Sequence, residues 1–138
     1  MILLDTNILI DRERFTFDDD ELYAASILTR AEFEFGIHAA SSPALRAERA
    51  ARLEALDGEF DWLPFDVACT RSYGEIAAGA TVTGAKVRGK DAMLAAQAHR
   101  HGASVMTANI ADFKPFEPFI VVLSPALCGV SPAHPYTS

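Results

Sequence analysis

The sequence lacks what would mark it as a membrane, thiolate-zinc or disulfide protein. No apolar run approaches the roughly 20 residues of a membrane-spanning helix. There are 2 cysteines, Cys69 and Cys128, far apart and in no C-x-x-C pair. That argues against a zinc-thiolate centre and points to buried thiols. His38, His99, His101 and His134 form no ligand cluster, and none is assigned acid–base work. Basic residues are scarce: 12 Lys and Arg stand against 19 Asp and Glu, a net charge of −7. This disfavours nucleic acid as a partner unless some acids hold cations, which would reverse the local sign. The apolar start carries no basic n-region or cleavage pattern, and Asp5 and Asp11 interrupt it, so a cytoplasmic protein is expected.

What is present suits one globular domain. The 138 residues, half of them hydrophobic, are enough to bury a core unaided. No repeat, low-complexity stretch or long linker divides them. We expect a domain over residues 1–125 and a Pro/Ser-rich tail over 126–138, partly mobile.

Periodicity gives an alternating pattern. Residues 1–5 and 119–123 read as buried apolar strands, and 22–26 and 104–108 as further strands. The segment 61–66 reads as a short edge strand because of Pro64. Helices are expected over 7–13, 27–40, 43–57, 67–80 and 91–100, with Ser42-Pro43 a natural helix start and His101-Gly102 a natural stop. Residues 16–21 read as a solvated acidic loop, 81–90 as a loop with two glycines, and 109–113 as a turn or one helical turn. Such alternation calls for an α/β fold with a central parallel β-sheet flanked by helices on both faces.

In such sheets, ligands bind beyond the carboxyl ends of the strands. Asp5 ends the first strand. Glu32 lies in the first turns of the helix after the second. Asp91 opens the helix after the 81–90 loop, and Asn109 and Asp112 follow the strand at 104–108. Singly, each has a bland reading as a helix-start, turn or solvent-facing residue. Together, carboxylates converging on one sheet edge repel each other and call for a cation. Oxygen donors without Cys or His suit Mg²⁺ or Mn²⁺, which can activate water against a phosphodiester.

The stretches LLDTN, SILTRAEFEFG, KDAMLAAQA and TANIADF, in this order and spacing, resemble the PIN-domain nucleases, and among them the VapC toxins of toxin–antitoxin pairs. The resemblance runs from Ile2 to about Val122. It implies a three-layer PIN-like fold and an Mg²⁺- or Mn²⁺-dependent endoribonuclease acting on RNA, with transfer RNA and ribosomal RNA both open as targets. Asp5 and Asp91 fall on the principal metal ligands. Glu32 and Asp112 complete the acidic pocket, by binding metal or activating water. Thr6, Asn7, Thr107 and Asn109 support it; Ser26, Thr29 and Gly36 fall on the second motif. Asn109 stands where some PIN proteins carry an acid, so its expected role is to orient a water or a neighbour. A cognate VapB-type antitoxin and a homodimer are implied partners.

Lys86, Arg88 and Lys90 lie just before Asp91 and are candidates to hold the RNA backbone. Arg46, Arg49 and Arg52 share a helix face with Glu48 and Glu54 interleaved, a pattern expected to make a salt-bridged surface. Phe33, Phe35 and Ile37 are candidates both for the core and for an apolar groove that takes an antitoxin helix, and the sequence does not divide them. Phe60, Trp62 and Phe65 are expected in core and strand-edge packing. Two other readings remain open. A phosphatase would use Asp5 as its nucleophile with a second Asp two residues on, where Asn7 stands. A non-catalytic RNA- or protein-binding module would hold only a structural cation, or none.

Overall fold

The computed structural model of the chain describes residues 1–128; positions 129–138 of the expected tail lie outside the described residues. Strand β1 (Ile2–Leu4) is apolar and fully buried. It stops at Asp5, whose carboxylate accepts the Thr6 N–H at 2.8 Å and so caps α1 (Thr6–Ile10). Asp11 leaves helical geometry, and the expected helix over 7–13 ends there in a 3₁₀ turn at Arg12–Arg14. The chain then forms β2 (Phe15–Thr16), the acidic loop and β3 (Tyr23–Ser26). Ser26 caps α2 (Ile27–His38) by accepting the Leu28 N–H at 3.0 Å. Ser42 does the same for α3 (Pro43–Asp57), accepting from Leu45 N–H at 3.1 Å, with Pro43 as its first residue.

The short strand β4 (Trp62–Leu63) leads to α4 (Val67–Val82), capped by Asp66. Helix α5 (Gly89–His101) follows and closes on Gly102, whose φ of 62° is left-handed. Both helices extend two residues into the expected 81–90 loop, which shrinks to 83–88 around Gly84 at φ 80°. Then come β5 (Ser104–Met106), α6 (Ile110–Phe113), β6 (Val122–Leu123) and β7 (Ala126–Leu127). The strand expected over 119–123 is only Val122–Leu123. Phe119 and Ile120 instead turn back, their N–H groups donating to Phe116 O, and Phe116 and Ile120 fill the core.

The main sheet has the order β4-β3-β1-β5-β6, and every pairing is parallel. Side-chain alternation along β1 divides the core between its faces. Leu3 joins Val105, Ile76, Ala92 and Ala95 under α4 and α5, whereas Ile2 and Leu4 join Ile8, Phe33, Leu53 and Leu56 under α1, α2 and α3. The sheet is thus central, parallel and covered by helices on both faces. Trp62 and Phe60 pack against the second cluster and Phe65 against the first, as expected. A second ladder was not expected: β7 pairs antiparallel with β2, Phe15 opposite Leu127, so the first residues of the tail fold back onto the domain. Cys69 is buried, but Cys128 is exposed, its thiol donating to Glu13 O at 3.2 Å. Among the described residues no helix is long and apolar enough to cross a membrane.

Candidate active site

Because β1 is central, the residue after it lies between the ends of β3 and β5. That residue is Asp5, only 6% exposed. Its N–H donates to Met106 O at 2.9 Å, locking it to the end of β5. Its Oδ1 faces the Thr6 N–H; its Oδ2 accepts the Thr107 hydroxyl at 2.9 Å and the Asn7 amide at 3.3 Å. Burial pushes the Asp5 carboxyl above its ordinary value, against the lowering effects of the Thr107 and Thr6 bonds and of Lys90; Glu32 adds to the rise.

The two polar tripeptides after β1 and β5 clasp each other. Asn7 Oδ1 accepts the Ala108 N–H at 3.1 Å, and the wholly buried Thr107 Oγ1 accepts the Asn109 N–H at 3.0 Å. The side-chain amide of Asn109 donates to Asp112 Oδ2 at 2.6 Å. On the other side, the Thr6 hydroxyl donates to Glu32 Oε1 at 2.8 Å and lies 3.3 Å from the Thr29 hydroxyl. These bonds fix Glu32 and Asp112 on either side of Asp5.

Asp91 sits in the first turn of α5. Its Oδ2 is buried and has no hydrogen-bond partner. Burial raises its carboxyl most, with further raising by Asp5 and Asp112 and partial relief from Lys90 and Arg88. All four carboxylates, Asp5, Glu32, Asp91 and Asp112, line one cleft of 340 Å³, together with Arg88 and Lys90. Lys90 is ion-paired with Glu32, and Arg88 lies 3.4 Å from Asp112. The outer two acids are thus turned onto basic side chains, and among the described residues no three His, Cys, Asp or Glu side chains stand gathered around one metal-sized point. The inner pair fits a cation well. Two repelling, desolvated carboxylates, one with an unpartnered oxygen, are hard oxygen donors lacking only the positive charge that would satisfy them.

Other candidates fall elsewhere. Lys86 is exposed in the 83–88 loop and is not in the cleft wall. None of His38, His99 and His101 lines the cleft. Arg30 pairs with Asp57 at 2.9 Å and with Glu34. The expected salt-bridged face of α3 does not form among the described residues. Arg46, Arg49 and Arg52 donate instead to the carbonyls of Ala40, Gly36 and Ile10, because their long side chains reach the ends of the neighbouring segments. Arg49 and Arg52 also line a groove of 400 Å³ with Ile10, Phe33 and Leu45, adjoining the cleft at Thr6 and Glu32. Phe33 is buried, Ile37 packs in the core, and Phe35 is 75% exposed. Gln97 was not foreseen: fully buried on α5, it donates to Leu63 O and Pro64 O, both at 2.9 Å. An amide inside the Ala-rich run of α5 was the only sign of it.

The family model of the PIN domain matches residues 2–114. The VapC ribonuclease Y4jK of Sinorhizobium fredii is 34% identical over 132 residues, covering 85% of this chain and 91% of that protein. Ribonuclease VapC5 of Mycobacterium tuberculosis is 30% identical over 109 residues, covering 76% and 80%. The crystal structure of VapBC-5 from Mycobacterium tuberculosis, a member of the VapBC family of toxin–antitoxin systems, superposes with a TM-score of 0.73 at 27% identity, over 90% of this chain and 96% of that one. The chain therefore belongs to the PIN-domain family. The relatives it resembles within that family are VapC ribonucleases.

Proposed function

We propose that the chain is a divalent-metal-dependent endoribonuclease and the toxin of a toxin–antitoxin pair. The observation that carries this is the inner carboxylate pair: Asp5, held by three donors, beside Asp91 with its unpartnered buried oxygen. Asp5 and Asp91 would hold Mg²⁺ or Mn²⁺. Such an ion supplies Lewis acidity, offsetting charge on the scissile phosphate and making water a better nucleophile. Glu32, oriented by Thr6, is placed to take the proton of the attacking water, and Asp112, oriented by Asn109, completes the acidic wall. Asn7 and Thr107 keep Asp5 aimed. Arg88 and Lys90 on the wall, with Lys86 further out, grip the RNA backbone, the lysines as point charges and Arg88 as a planar fork of donors.

The substrate class is RNA, with transfer or ribosomal RNA as the target, following the activity named in the similar ribonucleases. A VapB-type antitoxin is the proposed partner, its apolar side fitting the groove of Ile10, Phe33 and Leu45 beside the cleft. A homodimer acting in the cytoplasm belongs to the same proposal.

The test is cleavage of end-labelled transfer and ribosomal RNA by pure protein with Mg²⁺, Mn²⁺ or EDTA. Folded Asp5→Ala and Asp91→Ala variants are the controls. Metal-dependent cutting at a few sites, absent from both variants, is the expected result. Binding without cutting under every metal would favour the non-catalytic module.

A further inference from the structure

The proposed nuclease reading leaves the number of cations open, and Lys90 bears on it. A nuclease with two cations places them about 3.5–4 Å apart among shared carboxylates. Here an ammonium already stands among those carboxylates. Lys90 is ion-paired with Glu32 and lines the open cleft together with Asp5, Asp91 and Asp112. Its charge is felt by both inner acids, lowering Asp5 and Asp91 against the effect of burial. The cleft itself is roomy at 340 Å³; what a second divalent ion meets there is a Glu32 already neutralised by the Lys90 ammonium. Charge points the same way. Asp5, Glu32, Asp91 and Asp112 against Lys90 and Arg88 leave a surplus that one divalent cation neutralises.

We infer that the Lys90 ammonium occupies the place of a second cation, so that the site takes a single divalent ion on Asp5 and Asp91. Lys90 then presents a positive charge toward the scissile phosphate where a second metal would otherwise stand. The inference rests on the proposed metal-dependent activity, and its test separates the two.

The test is the binding stoichiometry of Mn²⁺ on the purified full chain, read from the electron paramagnetic resonance signal of unbound Mn²⁺. Wild type, Lys90→Gln, Lys90→Arg and Asp5→Ala would be compared after circular dichroism shows each folded. We expect one Mn²⁺ per wild-type chain and per Lys90→Arg chain, two per Lys90→Gln chain, and loss of the wild-type ion in Asp5→Ala. Two ions on wild type would overturn the inference, and this arm needs no variant. One Asp5-dependent ion on both wild type and Lys90→Gln would also overturn it while leaving the metal reading intact. No Mn²⁺ on wild type would remove both.

Discussion

Thr107 donates its hydroxyl proton to Asp5 Oδ2 at 2.9 Å, joining two residues 102 positions apart. The same oxygen of Thr107 accepts the Asn109 N–H at 3.0 Å. One buried hydroxyl therefore aims the central carboxylate and fixes the turn that carries Asp112. Thr107→Val keeps the shape and removes both bonds. We expect a loss of about 1–3 kcal/mol, since the Asn109 N–H and the buried Asp5 carboxylate each lose a partner. Urea denaturation measures this, and Mn²⁺ titration should show weaker binding. Unchanged stability would mean that water replaces the hydroxyl.

Asp91 should show the opposite sign. Its buried, unpartnered oxygen and its repulsion by Asp5 and Asp112 are costs the fold carries for its site. Asp91→Asn removes the charge. In EDTA it should raise Tm by about 2–4 °C, the shift that on the order of 1 kcal/mol produces in a domain of this size. Metal-dependent RNA cleavage should be lost in the same variant. A lower Tm would show that the carboxylate is better satisfied than its geometry indicates.

Gln97 holds α5, and with it Asp91, against the end of β4. Its amide donates to the carbonyls of Leu63 and Pro64. Gln97→Leu fills similar volume but leaves both carbonyls facing an apolar group. A destabilisation of about 1–3 kcal/mol is expected, two part-buried acceptors losing a donor while the buried, unpartnered Gln97 Oε1 is removed as well. The urea midpoint of the variant reads it directly.

Asp57 gives a pH signature away from the cleft. The Arg30 fork at 2.9 and 3.0 Å, then the Trp62 indole at 2.6 Å, hold its carboxyl below the ordinary 3.8. A depressed acid releases its proton more readily in the folded than in the unfolded chain. Its contribution is therefore full above 3.8 and is lost as pH falls through the folded value. Wild type should melt above Asp57→Asn at neutral pH, and the gap should close as the buffer is taken below 3.8. A gap independent of pH would mean that only packing was changed.

Sequence carried the main sheet because its information is local. The wholly apolar run before Asp5, the caps Ser26 and Ser42, and the stop at Gly102 each specify their own element. The carboxylate convergence was legible for a related reason: in a parallel sheet, every residue just past a strand lies at one edge. The pairing of β2 with β7 was not legible. Two residues against two carry no alternation, and the partners are set by where the chain happens to return. The arginines of α3 misled because their spacing to Glu48 and Glu54 is a helix-surface pattern, while their real partners are backbone carbonyls on other segments. Nor does spacing reveal that Lys90 and Arg88 bend inward onto Glu32 and Asp112; that depends on the turn at Gly84 and the start of α5.

The central place of β1 also gives the site a timetable. β1 is synthesised well before β5, but one whole edge of β1 pairs with β5, and Asp5 gains its Thr107 bond only when that strand has been made. At about 5–20 residues per second, the 102 intervening positions take roughly 5 to 20 seconds to synthesise. Throughout that interval Asp5 is tethered without its aim, and α5 and α6 are not both in place to bring Asp91 and Asp112 beside it. On the proposed function, the four carboxylates of the cleft come together in one late folding step, after β5 and α6 have been made.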